Sequence, residues 1–310
     1  MSNTIQDLLR LKSMLTAKMN LIPYSGTPEV KERGKDLKYI YIRKRVNGKL
    51  ISEYIGNYSE LLFNAVAKSC KEYRALNKEL RKIEKELAKL GYEEADLSKE
   101  VILNLDFGRA NMKSNIYDQA ILEGVATTYP QTETIIENGK VYGMTATDVQ
   151  KILNLKHAWE FILDKYVIQS KSDYYLCCYI AKLVNEGFYE EGGRIRTVPV
   201  SIGGSSYFPP IPLENKVKED IFNILSSGND DIDIAIELLL YVMKTQVFND
   251  GNKRTAVIYA NHYLISKGKG LIVIPEAKVS KFKKQLIAYY ENKENNIEEF
   301  LKEYCWKRIN

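Results

Sequence analysis

Histidine is nearly missing from this chain: two residues, His157 and His262, in 310. Imidazole is the side chain whose ordinary pKa lies nearest neutrality, so general acid–base chemistry has few candidates here. Cysteine is scarce too. The four thiols form no CxxC pair, and adjacent Cys177 and Cys178 leave neither a disulfide framework nor a zinc spacing; they read as small buried groups. No apolar run approaches the ~18 residues that a membrane-spanning helix needs. The opening Met-Ser-Asn-Thr-Ile-Gln-Asp has no signal-peptide core, so the expected location is cytoplasmic, without a membrane partner.

The apolar share of 45% suffices for buried cores, and the length suggests about two domains. Charge marks where they divide. Residues 1–90 hold 19 lysines and arginines against 10 acids, a surplus of nine, whereas the remainder holds 26 against 30, a deficit of four. That contrast predicts modules with different surfaces, a basic one over 1–95 and a second over 96–310.

In the first module, Ile5, Leu8, Leu11, Leu15 and Met19 predict a helix over about 4–19, followed by a proline- and glycine-bearing loop. Asn47-Gly48 between two β-rich runs predicts a hairpin over 38–55 with a two-residue turn. It sets Tyr39, Tyr41, Arg43, Arg45, Leu50, Ser52 and Tyr54 on one face, and Ile40, Ile42 and Ile55 on the other. The Tyr/Arg face suits nucleic acid, but no nucleic-acid signature accompanies it, so a solvated sheet face with a Tyr41–Tyr54 pair ranks first. Apolar residues alternating by four and three from Leu62 to Leu90 predict a long helix, packed within the chain or, as a homodimer, against a second copy.

From about residue 96 the expected class is mainly α. Helices are predicted over 109–122, 146–164, 172–187, 214–226, 231–245, 252–266, 276–290 and 295–306. One insertion, Gly192 to Pro210, reads as a hairpin with a glycine turn at Gly203-Gly204.

The segment Gln246-Val-Phe-Asn-Asp-Gly-Asn-Lys-Arg254 carries the chemistry. A donor-rich turn opens into an apolar helix, whose unpaired N–H groups and positive dipole end favour an anion. Gly251 permits the turn, Asn252 adds an amide, Lys253 and Arg254 add charge, and Asp250 suits a metal ion. This segment resembles the signature of the Fic/Doc (Fido) family, His-x-Phe-x-Asp/Glu-Gly-Asn-Gly/Lys-Arg, and the resemblance spans roughly 105–305. It implies a Fic-type helical bundle with a β-hairpin flap, here Thr197, Val198, Val200 and Ile202, that registers a target protein. It implies ATP or another nucleotide with Mg²⁺ as cofactors: Asp250 on the metal, Gly251, Asn252, Lys253 and Arg254 on the phosphates. The implied reaction is AMP transfer to a protein hydroxyl. Gln119-Ala-Ile-Leu-Glu123-Gly124 resembles the family's inhibitory motif, with Glu123 as the obstructing glutamate.

Three positions depart from that pattern. Gln246 stands where the catalytic histidine is expected, and an amide has no useful proton affinity near neutral pH. Val257 replaces a second arginine, leaving Glu123 only Arg254 to engage. Lys253 matches the Doc branch, which transfers phosphate. AMP transfer, phosphate transfer and non-catalytic nucleotide binding therefore stand as alternatives. His262 lies about 12 Å along the helix from Arg254, too far to replace the base, and His157 sits in another helix.

Overall fold

Thr4 begins the first helix with a reciprocal cap, its hydroxyl accepting from the Asp7 N–H while the Asp7 carboxylate accepts from the Thr4 N–H. The computed structural model describes residues 4–33, 37–46 and 48–309. It divides into two units, Met1–Glu93 and Glu94–Asn310.

In the first unit, α1 (Ile5–Asn20) precedes a three-stranded antiparallel sheet, β1 (Thr27–Arg33), β2 (Leu37–Val46) and β3 (Lys49–Asn57), and then α2 (Glu60–Lys89). β1 falls where the sequence predicts a loop. Its Pro28 cannot donate to a ladder, but β1 pairs only with β2, and an edge strand tolerates proline. The β2–β3 register runs from Val46 opposite Lys49 to Tyr41 opposite Tyr54, and a bulge then shifts it at Ile40. Gly48 has φ +78°, as the expected turn requires; Asn47 lies outside the described residues.

Alternation buries one sheet face. Ile40 and Ile42 pack with Val66 and Cys70 of α2, flanked by Ile55, Leu62 and Phe63. α1 lies against α2, giving the apolar seam of the long helix a partner within the chain. Leu9, not Leu11, completes the buried stripe of α1.

The second unit is helical: α3 (Lys99–Ala110), α4 (Met112–Leu122), α5 (Tyr129–Ile136), α6 (Ala146–Ile162), α7 (Tyr174–Val184), α8 (Glu214–Leu225), α9 (Asp231–Thr245) and α10 (Asn252–Ser266). A short β4 (Leu271–Ile272), α11 (Val279–Tyr290), α12 (Ile297–Phe300) and β5 (Trp306–Lys307) complete it. Where one helix is predicted over 109–122, Asn111 separates two, serving as C-cap of α3 and N-cap of α4. α5 escapes the sequence reading because eight residues offer too little periodicity. The helix expected over 295–306 is helical from Ile297 to Cys305, but it widens into a π-helix over Leu301–Cys305 before Trp306 and Lys307 pair with Ile272 and Leu271.

α10 is the centre. Every residue from Arg254 to Ile265 is buried, and α3, α6, α7 and α9 pack around it. An all-round apolar helix has no stable place except inside. Its first turn thereby carries the signature loop from the core to the surface.

Candidate functional site

α9 ends at Gln246, which adopts the left-handed conformation (φ 50°, ψ 59°). A side chain other than glycine is held there at a small cost in strain. Its amide is engaged on both sides. Nε2 donates to the Met243 carbonyl at 2.6 Å, and Oε1 accepts from Asn252 Nδ2 at 3.1 Å. Neither atom acts as a base, and neither is free in this arrangement.

Asn252 braces the loop from inside. Its Oδ1 accepts from the Phe248 N–H at 2.9 Å while Nδ2 donates to the Phe248 carbonyl at 2.7 Å. The sequence reading gives this amide to a phosphate; in the structure it is buried and holds backbone. What Asn252 leaves for an anion is its main-chain N–H. Gly251 is the N-cap of α10 and supplies no side chain, so the N–H groups of Asn252, Lys253 and Arg254 have no capping partner, and the first helical bond comes from Thr255 to Gly251. Gly251 has φ +74°, and an added Cβ would lie 2.9 Å from Asn185 Oδ1, so any other residue is strained there and pushes on the Asn185 amide.

Arg254 is only 1% exposed. Nη1 donates to the Val184 carbonyl at 2.6 Å and Nη2 to Asp250 at 2.8 Å. Asn185, the C-cap of α7, ties the same loop by donating to the Asp250 carbonyl at 3.0 Å. One Asp250 oxygen is thus taken by Arg254, and the carboxylate is still 46% exposed toward the cleft. Among the described residues no group of three or more His, Cys, Asp or Glu could hold a metal alone. Mg²⁺ needs no such cage, since it keeps water and phosphate oxygens and takes one or two carboxylates. Asp250 fits that smaller role.

Glu123, at the end of α4, comes to the same place. Its carboxylate lies 3.6 Å from Lys253 Nζ and 3.7 Å from Arg254 Nε, with the side chain 12% exposed. Glu123 Oε1 and Arg254 Nε are both buried without a hydrogen bond. The pair is close enough to attract and too far apart to be satisfied. Gln119, one turn earlier, clips α4 to α10 by donating to the Arg254 carbonyl at 2.8 Å while accepting from Trp159.

Glu123, Gln246 and the turn from Asp250 to Lys253 line a cleft of about 720 Å³, with Val200, Ile202 and Gly203 on one side, Leu286, Ile287 and Tyr290 of α11 on another, and Arg254 behind its wall. Burial, and then the charge of Glu123, push the Tyr290 phenol up, so it stays protonated. Thr197 and Val198 are exposed on the segment leading into the cleft. That segment reverses at Gly203-Gly204, where the Ser205 N–H bonds the Ile202 carbonyl at 3.1 Å. It forms no ladder of its own among the described residues; an isolated bridge between Ile195 and Phe248 is its sheet-like contact. The two prolines at its end remove the donors a second strand would need.

Arg196, which the sequence reading passes over, anchors the segment. It is fully buried and donates only to carbonyls: Nε to Gln246 at 2.6 Å, Nη1 to Val198 at 2.9 Å, Nη2 to Pro209 at 3.1 Å and Pro210 at 2.5 Å. At the far end Glu291 accepts from the Ser206 N–H at 2.7 Å and from the hydroxyls of Ser205 and Ser206. Lys293, and then these serine donors, hold the Glu291 carboxyl down at about 2. Neither histidine belongs to the cleft. His262 is buried between Ser172 and the Val167 carbonyl, and His157 lies beside Glu186.

Residues 172–264 match the model of the Fic/DOC family, and residues 4–63 match one described as Domain of unknown function (DUF6788). No curated protein matches the chain. Among solved structures, Fic-1 from C. elegans is similar over 75% of this chain and 72% of its own, at 18% identity and a TM-score of 0.52. A variant of that protein gives 19% identity and 0.53 over 77% and 72%. A Fic family protein from Desulfovibrio desulfuricans G20 is similar at 16% identity and 0.52, over 69% of this chain and 65% of its own. At such identities the likeness shows the fold: mainly helical, of the Fic type.

Proposed function

With a Fic/DOC family domain at residues 172–264 as premise, we propose that the cleft binds the polyphosphate of a nucleotide, ATP in the first instance, together with Mg²⁺. The uncapped start of α10 beside Lys253 carries this reading, because three N–H groups, a helix dipole and an ammonium converge on one wall of the cleft. Asp250 would hold the ion through the oxygen that Arg254 leaves free. Bound Mg²⁺ would neutralise phosphate charge. Val200, Ile202 and Leu286 give the apolar wall that the rest of a nucleotide requires. The Thr197–Ile202 segment, unpaired by any strand among the described residues, offers backbone beyond Val198 to a target peptide.

Chemistry on that nucleotide lacks its base. Gln246 places an amide where proton abstraction is needed, and the carboxylates of the cleft, Glu123 and Asp250, both lie on cations. Loss of a general base slows a reaction by about 10²–10⁴ while positioning and electrostatics remain. The protein is on this reading a nucleotide-binding Fic-like module with slow transfer to a protein hydroxyl at most.

Calorimetry with ATP tests the binding: Mg²⁺-dependent association is expected, and its absence would overturn the proposal. Labelled ATP with a cell lysate then tests transfer. α-Label on protein means AMP transfer, γ-label the phosphate transfer suggested by Lys253, and neither label with intact binding a purely regulatory module. Gln246→His is expected to raise AMP transfer by two orders of magnitude or more.

A further inference from the structure

The amino-terminal unit presents a surface that the cleft does not use. Its sheet buries Ile40 and Ile42 on α2, so the opposite face, with Lys31, Tyr39, Tyr41, Arg43, Arg45 and Tyr54, meets solvent. Tyr54 is 53% exposed, and Arg43 and Arg45 are exposed beside it. One acid shares the face. Glu29 lies 2.9 Å from Arg43 and 3.9 Å from Lys31, and among the described residues no acid pairs with Arg45. The surplus of nine positive charges in residues 1–90 surrounds this patch with a field of the same sign.

We propose that this face docks double-stranded nucleic acid, with β2 and β3 set in a groove and Arg43, Arg45 and Lys31 on backbone phosphates. The geometry of the tyrosines separates duplex from single strand. Single-strand binders stack bases on free ring faces. Here the rings are used on one another, Tyr41 edge-on to Tyr54 at 5.5 Å and Tyr39 tilted on Tyr54 at 6.0 Å, while Lys31 covers the Tyr41 ring at 4.7 Å. What remains is a stiff ridge of ring edges, hydroxyls and cations. The three strands, ~5 Å apart, span ~10 Å and fit across a major groove ~12 Å wide, which also admits a β-ribbon.

A second feature supports the phosphate contacts. At the end of the sheet, Arg43, Lys44 and Arg45 line a cleft of about 860 Å³ with Ser25, Thr27 and Tyr73. Lys44 is paired with Glu53 at 2.5 Å and Arg43 with Glu29, which among the described residues leaves Arg45 as the free cation and the three hydroxyls as neutral donors. An acidic protein surface would also be drawn by charge, but a flat, rigid, lightly apolar ridge offers it no pocket for an anchoring side chain.

Anisotropy of a labelled duplex of about 20 bp, titrated with the full chain over a salt series, tests the assignment. Binding is expected to weaken steeply with salt, each phosphate contact adding about −0.9 to the log–log slope. The same sequence as a single strand should bind more weakly. The double variant Arg43→Glu/Arg45→Glu should lose more than tenfold in affinity and make the slope shallower by about two. Arg45→Glu alone, which breaks no ion pair, should lose severalfold and so guards against a sheet damaged at Arg43. Lys78→Glu/Lys85→Glu on exposed positions of α2 makes the same change in net charge and should stay within twofold. No duplex binding at low salt, tighter binding of the single strand, or equal losses in both double variants would overturn the proposal.

Discussion

Two guanidinium groups, Arg196 and Arg254, are sealed at 0% and 1% exposure on either side of the Gln246–Gly251 loop, and they are wired in opposite ways. Arg196 meets only carbonyl oxygens: the feet of the Thr197–Phe208 segment and the last turn of α9. Arg254 also donates to one main-chain carbonyl, that of Val184, but beyond it meets the carboxylates of Asp250 and Glu123, and one of its nitrogens has no hydrogen bond. A cation among neutral dipoles is a clamp, because no ligand or pH change offers those carbonyls a better partner. A cation shared between an engaged and an unsatisfied carboxylate is a junction, since on the proposed function an arriving phosphate would compete directly for it. Burial, which the two share, therefore says little about role; the partners' charge separates scaffold from site.

The clamp should show the largest loss. Arg196→Met leaves the buried Pro209 carbonyl and the part-buried carbonyls of Val198, Pro210 and Gln246 without their donor, and is expected to destabilise the second unit by about 4 kcal/mol, read as a lower denaturant midpoint. Arg196→Lys should recover little of it, because three donors on one atom cannot reproduce the fork. A loss below about 1 kcal/mol would make Arg196 as adaptable as Arg254 and erase the contrast.

Acid provides the next largest effect, and it comes from neither arginine. Burial lowers the His262 pKa from 6.5 to about 4, while its ring nitrogens bond Ser172 and Val167. The nitrogen facing the Val167 carbonyl must carry the proton, so the other accepts from Ser172. The unfolded chain thus binds more protons between pH 6.5 and 4. Stability conferred by the neutral ring is complete above 6.5, falls as pH drops toward 4, and has lost about 3 kcal/mol below that. Thermal melts across that window should show the decline in wild type and in Arg196→Met alike. A clamp variant with a flat profile would mean that Arg196 and His262 belong to one coupled network.

The two arginines also mark what the sequence makes legible. The glycine, the basic pair and the apolar run from Thr255 to Ile265 announce the turn and helix of the Arg254 end, because those features are local. Arg196 acts 50 positions away from Gln246, and Gly-Gly-Arg-Ile-Arg does not say which arginine turns inward. The same limit explains Asn252. Its amide is an obvious anion donor in a turn, but only the folded loop brings the Phe248 backbone and Gln246 within its reach. In the amino-terminal sheet the alternation gives the buried face and the register as far as Tyr41 opposite Tyr54, but not the bulge beyond it, and β1 is hidden by the charge and proline that an edge strand tolerates.

At the junction, Arg254→Met should cost about 2 kcal/mol of stability, less than the clamp. Asp250 is half-exposed and rehydrates, and Glu123 keeps Lys253. The same variant should abolish measurable ATP binding, so its phenotype is functional where that of Arg196→Met is structural. A stability loss equal to the clamp's, with binding retained, would reverse the two roles.

The smallest change tests the junction most directly. Glu123→Gln removes a negative charge from beside Lys253 and Arg254 and leaves an isosteric amide that can still donate or accept. Stability should hardly move, since the ion pairs it breaks are 3.6 and 3.7 Å long and carry no hydrogen bond at Glu123 Oε1. Affinity for ATP with Mg²⁺ should rise about tenfold, or roughly 1.4 kcal/mol, because the phosphates no longer compete with a carboxylate for the same cations. Arg196→Met cannot produce that gain, since no anion occupies its carbonyl cage. If calorimetry finds the affinity of Glu123→Gln unchanged, Glu123 is only the end of α4 resting on α10, and Arg254 becomes a second clamp.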